Sequence, residues 1–463
     1  MKVMNGMKKK YSLSLFIFRR DLRLHDNTAL QQALAQSELV IPCFIFDPQQ
    51  VDSANEYKSD NCIQFMLESL HDLSQELKQQ HGHLYLFHGK THQVVSQLFK
   101  TLPIDALFLN HDYTPFSIER DTSLAQLCAA QHSISFSIHH DALLHQPQDI
   151  LKKDGRPYTV FTPFFKKASS FSVQEPQGNK AKNYYRKALL QEFNPKDILK
   201  SFNKKIAIVG GRAEGLKILK NIAQFKDYAA THDIPELPTT HLSPHNKFGT
   251  VSIREVYYAI EKALGKNHPL IRQLYWRDFF TQIVFFFPRV LGHAFHEKYD
   301  KLIWSKSEAA FERWCSGTTG FPIVDAGMRE LNATGFMHNR VRMITASFLV
   351  KDLHIDWRKG ERYFAQKLVD YDPAVNNGNW QWVASTGCDA QPYFRIFNPW
   401  LQQKKFDADC LYIKKWIPEL KNIPSKIIHA WHKRWSENKE ANYPQPLVDH
   451  AAQAALAKKY YKK

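Results

Sequence analysis

Residues 12–18 read Ser-Leu-Ser-Leu-Phe-Ile-Phe and are the first of five short apolar runs within the first 140 residues. The other four lie at residues 39–46, 83–87, 105–110 and 133–139. Amphipathic stretches such as residues 62–78 separate the runs, as expected where buried strands alternate with helices. This alternation predicts an α/β domain over residues 1–140, built on a doubly wound, five-stranded parallel sheet.

The carboxyl ends of these strands form the edge of the sheet where a ligand is expected. They fall near residues 19–27, Asp47 and residues 110–113. The segment Val209-Gly-Gly-Arg-Ala-Glu-Gly215 looks like a dinucleotide fingerprint, but Arg212 stands in the place of the second glycine of G-x-G-x-x-G. We therefore interpret this segment as the start of the first helix of the second half.

The rest of the chain divides into a linker and a helical part. Residues 141–205 are polar and rich in Pro, Lys, Ser and Gln, with one ordered pattern at residues 157–165, and we expect a long interdomain linker that packs across both halves. Helical periodicity dominates residues 206–463, which predicts an all-α domain. Within it we expect a helix at residues 322–331 and another at residues 339–353 with one apolar face, made by Val341, Ile344, Phe348 and Leu349.

Composition limits the classes of function. The 463 residues carry a formal net charge of +17, from 62 Lys and Arg against 45 Asp and Glu, which favours a polyanionic partner. Six scattered cysteines without a C-x-x-C pair predict a reducing, intracellular compartment, so we expect a cytoplasmic protein that is nucleoid-associated if prokaryotic. The longest apolar run, residues 283–287, is too short to span a bilayer, so no membrane partner is expected. Met4 and Met7 are alternative starts within a basic N-terminal segment.

All ten tryptophans lie after residue 275, although the chain has 32 phenylalanines to supply aromatic bulk. A tryptophan ring can stack on a base or a flavin, and it can also pass a single electron. Residues 370–382 read Asp-Tyr-Asp-Pro-Ala-Val-Asn-Asn-Gly-Asn-Trp-Gln-Trp and place Asn376, Asn377 and Asn379 beside two of these rings. Amides next to aromatic rings suit a planar heterocycle, and the alternative is that each tryptophan is a packing residue.

Asp370 and Asp372 lie two residues apart just before a proline. One interpretation is that they form a paired general acid and base. A second is that they belong to a helix end and a turn. A third alternative is that Asp370 pairs with a buried arginine such as Arg342 and so holds a positive charge beside an anionic ligand.

The stretch Thr239-Thr-His-Leu-Ser243 combines three hydroxyl groups with a following proline. Backbone N–H groups and hydroxyls at a helix start bind phosphate in many proteins, whereas simple capping needs only one hydroxyl. An anion site and an ordinary cap both remain open from the residues alone.

Two histidine clusters, His139-His140-Asp141 and His81-Gly-His83, have the residue types of metal sites. Neither has a second cluster at ligand spacing, so we interpret them as surface or loop residues and predict no metal.

Several longer motifs resemble those of the photolyase and cryptochrome family, and within it the class I photolyases that repair cyclobutane pyrimidine dimers. The similarity runs from residue 16 to about residue 446. It is most specific in Leu274-Tyr-Trp-Arg-Asp-Phe-Phe280, Thr319-Gly-Phe-Pro-Ile-Val-Asp-Ala-Gly-Met-Arg329, Met337-His-Asn-Arg-Val-Arg-Met343 and residues 370–397.

The resemblance implies an FAD that is reduced in the active state and is bound in the helical domain. The positions that match the family's FAD site are Tyr228, Thr239, Thr240, Leu242, Ser243, Arg277, Asn339, Arg342, Asp370, Asp372 and Asn376. Arg342 and Asp370 match the family's ion pair, and Asn376 matches the residue that faces flavin N5. This resemblance favours the third alternative for Asp370.

The resemblance also gives roles to five tryptophans. Trp380, Trp357 and Trp304 match the family's chain of electron-carrying tryptophans, which runs from the flavin to the surface in that order. The positions that match contacts with the lesion or its backbone are Gln273, Trp276, Asn339, Arg340, Met343, Trp382 and Arg395. The other five tryptophans are interpreted as packing residues.

The implied activity is light-dependent repair of UV-damaged DNA, single- or double-stranded and of any sequence, by a monomer. The dimer leaves the duplex, and excited reduced FAD splits it by transferring an electron. The α/β domain is expected to hold a second, antenna chromophore, which in this family is a folate, a deazaflavin or a flavin.

Three positions depart from the family's pattern. Gln273 stands where dimer repairers usually have a glutamate, His241 replaces an arginine or lysine, and Leu270 replaces an aromatic residue near the flavin. We do not expect His241 and Leu270 to keep the family's contacts at their positions. Gln273 can still hydrogen-bond a thymine but carries no charge, so it puts the repair rate or the substrate preference in question.

Three rival functions are weighed against this one. A (6-4) photolyase would have two histidines at the positions of Asn339 and Met343, and a cryptochrome often replaces the asparagine at position 376 and carries a long C-terminal extension. A basic protein that binds single strands through aromatic stacking, without chemistry, is the third.

Overall fold

The computed structural model describes residues 9–462 except residues 132, 190 and 191, so Met4 and Met7 lie outside the described residues. Five strands form its sheet: β1 (Tyr11–Phe18), β2 (Ser37–Phe46), β3 (Tyr85–His88), β4 (Ala106–Asn110) and β5 (Ser135–His139). Their order is β3-β2-β1-β4-β5, and every neighbouring pair is parallel. The predicted five-stranded parallel sheet is confirmed, and each predicted run overlaps one strand.

Helices cover both faces of the sheet. They are α1 (Thr28–Gln36), α2 (Pro48–Val51), α3 (Asp60–Gln79), α4 (Thr91–Thr101) and α5 (Pro115–Ala130). Apolar residues of α1 and α3 share one core cluster, and those of α4 and α5 share another on the opposite face. The sheet is therefore doubly wound, as predicted.

Strand β1 shows why this part of the chain folds as it does. Leu13, Leu15 and Ile17 are buried in the cluster on one face, whereas Phe16 and Phe18 are buried in the cluster on the other. Successive strand residues point to opposite faces, so a strand covered by helices on both sides must be apolar throughout.

The C-terminal part is helical, as predicted. It contains α7 (Arg212–Lys220), α8 (Tyr228–Thr231), α9 (Ser243–Phe248), α10 (Ile253–Leu264), α11 (Pro269–Phe286), α12 (Glu308–Ser316), α13 (Pro322–Thr334), α14 (Asn339–Ser347), α15 (Trp357–Lys367), α16 (Pro373–Ala384), α17 (Pro399–Phe406), α18 (Leu411–Trp416), α19 (Ser425–His429), α20 (Trp431–Arg434) and α21 (His450–Lys462), after α6 (Phe161–Ala168) in the linker. None of these helices is long and apolar enough to cross a membrane within the described residues.

Helix ends follow the sequence signals. Proline opens α13, and Gly335, with φ of 70°, ends it in the left-handed conformation that favours glycine. The helix expected at residues 339–353 is α14 followed by a π-helical turn at Phe348–Asp352. All four residues predicted for its apolar face are buried.

The linker packs across both halves, as expected. The Val40 N–H donates to the Asn183 carbonyl at 2.9 Å, and the Tyr185 N–H donates to the Val40 carbonyl at 2.8 Å, so this strand edge is covered by the linker. The ordered pattern at residues 157–165 corresponds to α6 and the turn before it, and Phe161 of α6 packs against the helical part. The domain boundaries at residues 140 and 205 stay predictions.

Arg23 and Asp26, in the segment after β1, are bound within the protein and are not free for a ligand. A ligand near residues 19–27 stays a prediction. Arg23 donates to Asp141 at 2.5 Å, and Arg254 of α10 donates to Asp26 at 2.8 Å and to Asp141 at 2.8 Å. All four side chains are almost fully buried. Buried charges are tolerated when they are paired, so this cluster joins the α/β part to the helical part.

The glycine-rich segment at residues 209–215 also joins the two parts, and α7 begins at Arg212, as interpreted from the sequence. A Cβ on Gly210 would lie 2.2 Å from the Phe65 carbonyl oxygen of α3, so only glycine fits there. The Gly210 N–H donates to Glu68 at 2.6 Å, and the Gly211 N–H donates to Ser69 at 2.9 Å. These N–H groups are bound to α3 and are not available to a phosphate.

Candidate functional site

An ion pair between Arg342 of α14 and Asp370 of the loop before α16 is the first feature of the site. Two contacts of 3.2 and 3.0 Å join the guanidinium to the carboxylate. The hydroxyl of Ser243 donates to the same carboxylate at 2.6 Å. The contact offered as the third alternative for Asp370 is present, and it fixes a positive charge beside the start of α9.

Asp372 has a different role. It caps α16 by accepting from the N–H groups of Ala374 and Val375 at 3.0 and 3.2 Å, and Arg20 of the α/β part also donates to it. Burial opposes its ionisation, but the charges of Arg20 and Arg277 outweigh burial and lower its pKa. A carboxyl group held ionised in this way is a poor proton donor near neutral pH, which disfavours the acid–base alternative.

Arg277 of α11 is mostly buried. Its guanidinium donates to the carbonyls of Ala142 at 2.7 Å and Asn246 at 3.2 Å, and burial lowers its pKa. The neighbouring Asp278 accepts from the Leu144 N–H at 2.8 Å, and burial raises its pKa to about 7. These contacts fix Arg277 between the linker and α9.

Asn376 is buried in α16, and its amide donates to the backbone carbonyl of Glu361 at 3.1 Å. The next residue, Asn377, donates to the Glu361 carboxyl group at 3.2 Å and to the Val290 carbonyl at 3.1 Å. Burial raises the pKa of Glu361 to about 7. Sequence reasoning missed Glu361, although it lies on the apolar face of α15, four residues after Trp357.

The hydroxyls at residues 239–243 do not cap a helix. Helix α9 begins at Ser243 without a side-chain cap, and Ser243 is bound to Asp370 instead. Thr239 and Thr240 are partly exposed. His241, which has φ of 52°, lies with its ring 4.6 Å from the Phe336 ring, and burial lowers its pKa, so the imidazole does not supply the charge of an arginine or lysine.

Tyr228 begins α8, and burial raises its pKa to about 12. Its ring centroid lies 5.1 Å from that of His232. Leu242, the residue before α9, is buried. Leu242 directly follows the segment that carries the partly exposed Thr239 and Thr240.

The three tryptophans predicted to carry electrons belong to one core cluster, with Trp304 at its partly buried edge. Trp357 and Trp380 are buried, and a Cβ on Gly360 would lie 2.2 Å from the Trp380 ring. Trp380 therefore packs directly on the backbone of α15, the helix that Trp357 begins. Trp314, which we interpreted as a packing residue, lies 6.2 Å from Trp380 between ring centroids.

The two tryptophans assigned to the lesion are linked through one phenylalanine. Trp276 stacks on Phe161 with ring centroids 3.5 Å apart and on Phe280 with centroids 5.5 Å apart. Phe280 and Trp382 both line a shallow cleft that is mostly apolar and also contains Asp389. Phe161 and Phe280 were not predicted to belong to this aromatic group.

The remaining residues assigned to DNA differ in exposure. Gln273, Asn339 and Arg395 are exposed and Met343 is partly buried, whereas Leu270, close to Gln273 in α11, is buried. Arg340 is different again, because its guanidinium is already bound to a carboxylate.

The donor set fits an FAD. Thr239 and Thr240 are partly exposed, and Ser243 is bound to the Asp370 that pairs with Arg342, so donors and positive charge of the kind that a diphosphate needs are present. The Oδ1 of Asn246 is buried without a partner among the described residues. Arg277 and Asn376 are fixed by backbone carbonyls, so their positions do not depend on the cofactor.

The histidine clusters lie in loops or at strand ends. The Nδ1 of His140 and the Tyr113 hydroxyl form a hydrogen bond of 2.5 Å, and burial lowers the pKa of His140 to about 4. His83 pairs with Glu192 at 2.8 Å. Among the described residues, no group of three or more His, Cys, Asp or Glu side chains is arranged to hold a metal ion.

Comparison with known families gives two matches along the chain. Residues 14–180 match the family model described as DNA photolyase, and residues 270–463 match the one described as FAD binding domain of DNA photolyase. The second match covers Arg277, Arg342, Asp370 and Asn376.

Individual relatives match over nearly the whole length. The deoxyribodipyrimidine photo-lyase of Alkalihalophilus pseudofirmus is 38% identical, over 97% of this chain and 98% of the relative. The crystal structure of an archaeal photolyase from Sulfolobus tokodaii with two FAD molecules is 43% identical, with a TM-score of 0.88 over 97% of this chain and 99% of that one. A cryptochrome from Synechocystis is 28% identical, with a TM-score of 0.89 over 98% of this chain and 100% of that one.

Proposed function

Because the chain belongs to the DNA photolyase family, we propose that it repairs cyclobutane pyrimidine dimers, which it takes out of the DNA stack and splits by electron transfer from excited, reduced FAD. The enzyme class itself is not in question. The chain is a deoxyribodipyrimidine photo-lyase, an FAD flavoprotein of light-dependent DNA repair. The proposal concerns the lesion, the residues and the steps.

The ion pair between Arg342 and Asp370, with Ser243 bound to it, is the observation that carries the proposal. Three segments far apart in sequence meet there, and each was assigned to the same cofactor. The carboxylate fixes the plane of the Arg342 guanidinium, and the N–H groups of Nη1 and Nη2 that it leaves unbound remain able to donate to an anionic group beside it.

FAD supplies the electron and the light absorption once it is bound. The task of the chain is to hold it and to exclude water. Arg277, Arg342, Asp370 and Asn376 are each bound to other groups of the protein, so they are ordered before the cofactor arrives. A fixed arginine and a fixed amide favour the reduced, anionic ring over the oxidised, neutral one.

The lesion is proposed to enter beside Trp276 and Trp382, where aromatic walls can stack on the unpaired pyrimidines. Trp380 belongs to the other side of α16 and is proposed to pass to the flavin the electrons that reach it from Trp304 through Trp357. Contacts from exposed residues such as Arg395 would hold the backbone without reading bases, which suits a monomer acting on DNA of any sequence.

We also propose a second chromophore in the α/β part. The two FAD molecules of the Sulfolobus tokodaii photolyase support a flavin in preference to a folate or deazaflavin. Chromophores released from the purified holoprotein by denaturation should include more than one flavin per chain. A single FAD per chain, or a released folate or deazaflavin, would contradict this part of the proposal.

The test of the main proposal is repair of defined oligonucleotides under blue light. Dimer-containing strands should be restored to intact thymines, and strands containing a (6-4) photoproduct should not. Repair of the (6-4) product alone would replace the proposed lesion. Binding of damaged DNA without release of intact thymines would favour a light-signalling role instead. The similarity to the Synechocystis cryptochrome is the reason to test for that role.

A further inference from the structure

Arg340 matches a position that contacts the lesion or its DNA backbone, yet its guanidinium is already bound to the carboxylate of Asp233. Its Nε donates to one oxygen of Asp233 at 3.1 Å, and its Nη2 donates to the other at 2.7 Å. Its guanidinium carbon also lies 4.6 Å from the centroid of the Phe406 ring. A guanidinium that is hydrogen-bonded along one edge and stacked on one face is held in a single orientation.

The contact with Asp233 leaves part of the guanidinium free. It uses the edge formed by Nε and Nη2, and Nη1 has no acceptor among the described residues and is not buried. The edge formed by Nη1 and Nη2 can therefore bind two oxygens of a phosphodiester without breaking the contact with Asp233.

We infer that Asp233 is a positioning residue for DNA binding, which holds the guanidinium of Arg340 with its free edge ready for a backbone phosphate. This inference rests on the proposed function. An arginine that is ordered in advance loses less conformational entropy when the phosphate binds, and this gain opposes the repulsion between the Asp233 carboxylate and DNA.

The opposite role is that Asp233 competes with DNA for Arg340. In that case removal of the carboxylate would strengthen binding. The two roles therefore predict opposite changes in affinity, and the free Nη1 edge favours the positioning role.

The experiment measures binding of the holoprotein in the dark to a fluorescent duplex with one thymine dimer, at several salt concentrations. Asp233→Ala should raise the Kd about two- to tenfold, the effect of leaving one long side chain to be ordered on binding. It should also lower the salt slope by up to about 0.9, the value for one phosphate contact, as Arg340→Ala does. Asp233→Asn keeps the shape of the side chain and serves if the alanine variant does not fold.

Glu236→Gln is the matched control, because Glu236 is an exposed carboxylate three residues away on the same loop and has no contact with Arg340. Its salt slope should equal that of the parent, and any gain in affinity measures the effect of removing one negative charge. In the Arg340→Ala background, Asp233→Ala should cause no further weakening.

Two results would overturn the inference: Asp233→Ala binding as tightly as the control, or losses that add in the double variant. If the parent binds and repairs dimers in these cases, only the role of Asp233 fails. A parent that neither binds nor repairs dimers would remove the proposed function itself.

Discussion

Glu361→Gln is expected to make the protein more stable at alkaline pH while leaving its stability at acid pH unchanged. The carboxyl group is 4% exposed, accepts from Asn377 at 3.2 Å, and has no arginine or lysine bound to it among the described residues. Burial therefore dominates and raises its pKa from 4.5 to about 7. Glutamine has nearly the same shape, and its carbonyl oxygen can accept the same hydrogen bond.

The sign follows from proton binding. Below pH 4.5 the carboxyl group is protonated in both the folded and the unfolded chain, so the folded state suffers no penalty. Between pH 4.5 and about 7 the unfolded chain loses the proton first, and the free energy of unfolding falls as the pH rises. Above about pH 7 the free energy of unfolding falls no further, because the carboxyl group is ionised in both states. The gap between the two pKa values makes the total decrease about 3 kcal/mol.

The measurement is urea unfolding of the FAD-loaded parent and variant between pH 5 and 9, with the difference in free energy taken at each pH. Subtraction matters because Asp278, whose pKa burial also raises to about 7, remains in both proteins. Glu119→Gln, at an exposed glutamate, should show no such difference. A difference for Glu361→Gln that is flat with pH, or that grows toward acid pH, would refute the assignment of a neutral buried carboxyl group.

Three further substitutions test the site. Asn376→Ala should impair accumulation of reduced flavin, and unchanged photoreduction and repair would remove Asn376 from the flavin site. Trp304→Phe should block photoreduction of oxidised FAD but spare repair by chemically reduced enzyme, and photoreduction equal to the parent's would exclude Trp304 from the electron path. Gly360→Ala should destabilise the fold and slow photoreduction, because overpacking against Trp380 costs about 1–3 kcal/mol. That cost exceeds the ~1 kcal/mol by which alanine is preferred over glycine in a helix, so the net effect should be a loss of stability. An unfolding midpoint of Gly360→Ala at or above the parent's would contradict this prediction.

The α/β part could be predicted from sequence because its central strands are covered on both faces. A strand such as β1 must then be apolar throughout, and such runs separated by amphipathic helices have few other interpretations. The helical part was predicted as a class, but its π-helical turn at Phe348–Asp352 was not, since the residues of that turn are as apolar as those of the helix before it.

The ligand edge of the sheet shows a limit of this reasoning. The rule for parallel sheets directed attention to residues 19–27, which indeed lie after β1. Arg23 and Asp26 in this segment are instead bound to Asp141 and Arg254, which lie 118 and 228 positions further along the chain. Local sequence cannot distinguish a charge that meets a ligand from a charge that meets a distant part of the same chain.

The same limit applies to Arg340, and here it changes the chemistry that is expected. From sequence it is one of several basic residues on a positively charged protein, and any of them would attract a phosphate. Its partner Asp233 lies 107 residues earlier, in a loop that gave no signal of its own. An acidic residue beside a DNA-binding arginine would be expected to weaken binding, but the edge of the guanidinium that it occupies leaves the other edge free. The geometry of the contact, and not the charge of the residue, therefore decides whether Asp233 weakens or strengthens DNA binding.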